Sequence, residues 1–135
     1  MATVEVIMYP GAIAWFRSWE GPLGQGMSRL ADSTKHFQQV FAPKRTGLLA
    51  ASITVGPKTG TSVLSVTIGT HKGGRGYALY QDQGTRPHII RPKRPGGYLH
   101  FDGRYAALVH HPGNPPTHWA WNGLSAAMFQ EGFMF

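Results

Sequence analysis

Five of the seven histidines fall in one stretch of this chain, at His88, His100, His110, His111 and His118. Imidazoles gathered like this could ligate a metal or move protons near neutral pH. Their spacing argues otherwise. No His-Glu-x-x-His pattern is present, and Asp102 is the only carboxylate close by in sequence. Adjacent His110 and His111 on a strand would point to opposite faces. Structural hydrogen bonding is therefore the expectation, with no metal and no cofactor. The acidic residues Glu5, Glu20, Asp32, Asp82, Asp102 and Glu131 are scattered, whereas hydrolysis or two-metal chemistry needs two or more brought together. There is no Gly-x-Ser-x-Gly elbow. Gly73, Gly74 and Gly76 lack the Lys-Ser/Thr that follows in a phosphate loop, so they read as a plain loop. The expectation is a protein that is not an enzyme.

A different chemistry lies in "TRPHIIRPKRP". Arg86, Arg91, Lys93 and Arg94 fall within nine residues, with Pro87, Pro92 and Pro95 among them. Proline fixes φ and lowers the freedom lost on docking, so the pattern predicts an extended, preorganised ladder of cations. Arginine forks onto carboxylates and phosphates alike, which leaves the partner open. The expected contact residues are Arg86, His88, Arg91, Lys93 and Arg94. Trp119 and Phe135 are expected as apolar anchors. Tyr98, Phe101, Trp119 and Trp121 would be stacking groups if the partner were nucleic acid.

Composition fits a protein that is covered by others. Charged residues make up 14% of the 135 residues, against about 25% in typical soluble domains. Gly (18) and Pro (10) are abundant, as are Phe (7), Tyr (5) and Trp (4). A surface poor in charge and rich in aromatics implies loops folded on the core or partner subunits over it. Thirteen Lys and Arg against six Asp and Glu give a formal charge of +7, which suggests anionic neighbours. Without cysteine, disulfides and thiolate metal sites are excluded. The apolar patch Ile13 to Phe16 is too short for a signal-peptide core or a membrane span, so a soluble chain made in the cytoplasm is expected.

The elements that must position these residues read as one α+β domain over 1–135. "TVEVIM" (3–8) alternates like a short strand. Ala12 to Trp19 has helical spacing, and Pro22 suits the first turn of a second helix. Leu23, Met27, Leu30, Ala31, Phe37, Val40 and Phe41 predict its buried stripe, and Pro43 lies just past its end. The helical region is 11–42. A sheet region follows over 48–111, with a strand from near Ala50 and a hairpin connection at 56–60. A half-buried strand is marked by Leu64, Val66 and Ile68 alternating with Ser65 and Thr67. "HKGGRG" (71–76) is a loop, and Tyr77 to Gln83 is either a strand or a helical turn. Within this region the basic, proline-rich loop covers 84–97, and a hairpin forms around Asp102-Gly103. Thr117 can cap a C-terminal helix over 117–130. The apolar end, Phe133 to Phe135, should dock on the chain's own core or on a neighbour. N-terminal helices packed on a mostly antiparallel sheet, closed by a C-terminal helix, are the predicted fold.

At "APKRTGLLAASI" (42–53) the chain resembles the tail-completion, or neck, proteins of long-tailed bacteriophages, a family of head–tail joining and minor tail components. In that family a helix ends in Ala-Pro and Thr-Gly-x-Leu-x-x-Ser-Ile opens the sheet. "QGTRPHIIRPKRPGGYLHF" (83–101) is similar to its Gly-Thr-Arg-Pro-His-x-Ile-x-Pro, and "VHHPGNPPTHW" (109–119) to its His-Pro-Gly-x-x-Pro before a final helix. "WEGPLGQGMSRLADSTKHF" looks like its N-terminal helical region. Order and spacing agree over about residues 11–130. Gln83 stands where an acidic residue often precedes Gly-Thr, and Thr117, His118 and Trp119 replace the usual hydrophobics. The resemblance implies a structural virion protein, assembled in the host cytoplasm, with no membrane partner. It would form a homo-oligomeric ring, a hexamer favoured, between head connector or stopper and tail terminator or tail tube. That ring would surround the channel through which DNA leaves the capsid and could touch the DNA. A tail terminator ring subunit, or a basic nucleic-acid-binding module, is the alternative.

Overall fold

The computed structural model describes residues 2–5, 7, 9–70 and 75–133. It is an α+β chain that divides into two compact units. The first comprises Met1–Arg75 and Trp119–Phe135, and the second Gly76–His118.

The helical unit begins with α1 (Pro10–Phe16), which opens on proline and buries none of its residues. Sequence spacing placed this helix at 12–19; it starts earlier because Pro10 has φ fixed for a first turn. Residues 2–5 and 7 form no strand, contrary to the expectation for 3–8, and residues 6 and 8 lie outside the described ones. Alternation supplies a face but not a pairing partner.

α2 spans Pro22–Phe41, as its prolines predicted. Its buried face matches the predicted stripe only in part: Ala31 is buried and Met27, Leu30 and Phe37 are half-buried. Leu23, Val40 and Phe41 are exposed, and the buried positions are Gly24, Gly26, Ala31, Thr34 and Gln38. The reason is the close approach of α5 (Trp119–Gln130). A Cβ on Gly123 of α5 would sit 2.4 Å from Gln38 Cγ and 2.7 Å from the Gln38 nitrogen. Helices this near admit only small residues at the contact, so the large ones move to the flanks. Gln38 Nε2 donates to the Ala120 carbonyl (3.0 Å), and Thr34 Oγ1 to Leu30 (2.7 Å), which satisfies these buried donors. Beyond α5, Gly132 takes φ +77° and the Phe133 amide donates to Met128, closing the helix in a Schellman motif. Phe133 then lies against Gly26 of α2, 3.6 Å from where a Cβ would be. For Phe133 the docking site is therefore the chain's own helix; Met134 and Phe135 lie outside the described residues.

A strand was expected from near Ala50. Instead Leu48–Ser52 form a short helix, α3, because Leu and Ala favour helix and Gly47 at φ +75° sets its start. The strand β1 begins at Ile53, which is fully buried, and pairs antiparallel with β2 (Ile68–Thr70) in the register Ile53↔Thr70 and Val55↔Ile68. A Thr59↔Ser65 bridge extends this hairpin. The predicted alternation holds in burial, with Leu64, Val66 and Ile68 half-buried and Ser65 and Thr67 exposed. Trp19 fastens the hairpin, its Nε1 donating to Thr59 (3.2 Å) and its ring lying 5.5 Å from Lys58 Nζ.

The second unit begins within α4 (Arg75–Gln83), which settles Tyr77–Gln83 as helix. β3 (His88–Ile90) pairs antiparallel with β6 (Val109–His111), and β4 (Leu99–Phe101) with β5 (Arg104–Ala106). The β4–β5 hairpin turns at Asp102-Gly103, both at positive φ, the pairing a type I′ turn requires. The antiparallel pairing is as expected, but among the described residues it forms three separate two-stranded ladders, β1–β2 in the helical unit and the other two here.

Candidate functional site

The second unit is held by backbone rather than by a core. Ala78 is its one buried residue among those described. Its brace joins two of the sequence motifs. The Thr85 amide donates to the Asn114 carbonyl (2.9 Å), and the Asn114 amide returns a bond to the Thr85 carbonyl (3.1 Å) and to Thr85 Oγ1 (3.0 Å). This contact demands glycine alongside. Gly113 has φ +82°, and a Cβ there would lie 2.2 Å from the Thr85 oxygen. Residues 117 and 118 close the unit's other end, where Thr117 N and Oγ1 donate to Gln81 and the His118 amide to Asp82.

On this brace sits the β3–β6 ladder, which sets His88 opposite His111 with rings stacked at 5.0 Å. His88 Nδ1 lies 2.8 Å from the Arg86 carbonyl and so donates to it. His111 Nδ1 instead accepts the Gly113 amide (3.0 Å). The two rings thus hold opposite tautomers, one presenting a free acceptor and the other a donor at Nε2. Both histidines serve the backbone, as the sequence suggested. Among the described residues, no three histidine or carboxylate side chains gather as a metal cluster.

From β3 the chain enters the cationic loop. It does not run as the predicted extended ladder. The Gly97 amide donates to Arg94 (3.0 Å), with Pro95 next and Gly96 at φ +72°, the pattern of a type II turn. Gly97 folds back on Pro92, whose Cβ is 3.4 Å from an ideal Cβ at that glycine. The result is a compact knob that keeps Arg91, Lys93 and Arg94 exposed. Arg86 and His88 are exposed too. Arg86, Arg91, Lys93 and Arg94 form no ion pair with a described residue; among the described residues the one ion pair is Arg29–Glu131, in the helical unit.

One expected anchor is not available at the surface. Trp119 is 5% exposed, too deep to offer a partner its ring, while Trp121 two residues on is 65% exposed. Phe135 lies outside the described residues. Sequence reasoning also missed Tyr105, 73% exposed, whose ring lies 4.7 Å from that of its cross-strand partner His100. The Asp102-Gly103 turn was the signal that could have found it, since that turn fixes which residues share a face. Comparison of the chain with family models, with curated proteins and with solved structures finds no match.

Proposed function

We propose that the chain is a structural subunit of the phage neck, one copy of a closed ring in the head-to-tail connector or tail-completion assembly. Six copies are favoured, around the channel through which DNA leaves the capsid. The observation that carries this reading is the uncovered apolar surface of the helical unit. Trp121 and Phe129 of α5 are 65% and 76% exposed, and Trp15 and Phe16 of α1 are more than half exposed. A helix apolar on every side is normally covered on every side, and exposed patches of this kind mark protein contacts. A heterologous contact repeated around a ring covers them in every copy.

The resemblance adds to this. Two of its motifs, far apart in sequence, meet at the Thr85–Asn114 brace, which favours reading them as parts of one device. No catalytic or cofactor role is assigned. The neighbours would be the head connector or stopper and the tail terminator or tube, and Arg86, His88, Arg91, Lys93 and Arg94 would form a contact surface for either an acidic protein or the DNA in the channel. Native mass spectrometry of the full chain tests the ring. A single closed copy number is expected, and a Trp121→Ser, Phe129→Ser double variant should fall to monomer with its melting temperature kept. Imaging of virions should then place the chain between head and tail. A monodisperse monomer that touches no other subunit in assembled necks would overturn the reading.

A further inference from the structure

We infer that the second unit binds nucleic acid, with phosphates held by Arg91, Lys93 and Arg94 of the knob and unpaired bases stacked on Tyr98 and Tyr105. This rests on the reading of that knob as a contact surface, and it names the occupant.

Charge decides against a second copy. The second unit carries Arg86, Arg91, Lys93, Arg94 and Arg104 against Asp82 and Asp102, and the whole chain stands at +7. Another copy would bring mostly like charge, and its Glu131 is already engaged by Arg29 and by Ser33 (2.6 Å). The occupant is therefore a polyanion of another kind.

Exposure decides between nucleic acid and an acidic protein. The unit's two most exposed large hydrophobic side chains are tyrosines, Tyr98 (70%) and Tyr105 (73%). Of its aliphatic side chains, Leu79 is about half exposed, and Ile89, Ile90 and Leu108 are each less than half exposed. A protein interface is centred on a desolvated apolar patch. Exposed rings in the same unit as cations without ion pairs suit the stacking of bases along a tracked backbone. The type II turn, the Gly97–Pro92 contact and the Thr85–Asn114 brace hold the cations in place beforehand, so little freedom is lost on binding.

The test is fluorescence anisotropy of the full chain with labelled single-stranded and duplex oligonucleotides of mixed sequence, across a range of salt. Sequence-independent binding to the single strand is expected, with log affinity falling linearly in log salt. Removing Arg91, Lys93 and Arg94 together by alanine should flatten the single-strand slope by about 2, at roughly 0.7 per phosphate. Tyr98→Ala and Tyr105→Ala should each weaken single-strand binding by about tenfold, since stacking contributes on the order of 1–3 kcal/mol per base. They should leave duplex affinity and the salt slope unchanged. Alanine at the exposed Arg17, Lys44 and Arg45 of the helical unit is the control, and should leave the slope as it was.

Several results would overturn the inference: no single-strand binding at low salt, an unchanged slope in the knob variant, or a control that flattens it as much. So would tighter binding to an acidic peptide of equal charge that ignores both tyrosine substitutions. The knob positions are exposed, so the variants should fold, which circular dichroism checks. A chain that closes into a ring but ignores DNA would sink this inference alone; a monomer that binds DNA would sink only the ring.

Discussion

The helical unit and the 76–118 unit solve the same problem by different means. In the first, α2 and α5 press together through Ala31, Thr34, Gln38, Gly123 and Ala127, and Ile53 is fully buried. Burial of apolar surface holds it, and the close approach leaves no room for larger side chains. In the second, one alanine is buried among the described residues, and the fold depends on paired backbone hydrogen bonds and turns at fixed residues. A unit of that size with so little core is at the lower limit of what folds without support. The contrast teaches where adaptation can occur. Packing constrains the α2–α5 contact of the first unit, while the second leaves Arg91, Lys93, Arg94, Tyr98 and Tyr105 exposed.

Gly123→Val should separate the two most sharply. Its new methyls have no space beside the Gln38 backbone, and overpacking here should cost about 3 kcal/mol, read as a large fall in melting temperature. Gly113→Ala probes the other unit. Forcing a Cβ towards the Thr85 oxygen at φ +82° should cost about 2 kcal/mol locally. Hydrogen exchange should show amide protection lost across 85–114 and kept across α2. Equal loss in both would mean that the two units unfold as one, and the comparison would fail. Leu48→Ser should do least. That side chain is 73% exposed, so chemical denaturation should move by less than about 0.5 kcal/mol.

What the sequence made legible was local. Pro22 and Pro43 framed α2, Asp102-Gly103 marked a hairpin, and alternation at 64–68 matched the burial seen there. The exposed cations of the site were also readable, because charge next to proline rarely goes inside. What failed depended on distant partners. The ends of the apolar stripe on α2, Leu23, Val40 and Phe41, stayed exposed, and the nearness of α5 buried Gly24, Gly26, Thr34 and Gln38 beside Ala31. The strand at 3–8 had a pattern and nothing to pair with. Pairing of β3 with β6, and the brace at Thr85–Asn114, join residues whose local sequence does not announce each other. The turn at Arg94-Pro95-Gly96-Gly97 is a different kind of miss, since Pro-Gly at its centre is a readable signature that the count of prolines obscured.

The bonds from Thr117 and His118 to Gln81 and Asp82 bring the two ends of the 83–116 stretch side by side. A stretch whose two ends already meet behaves as a removable cassette. It can be lengthened, shortened or traded for another loop of matching footing while the chain on either side keeps its path. Lineages facing different neighbours would then be expected to differ most between these two stitches, and least in the helices that flank them.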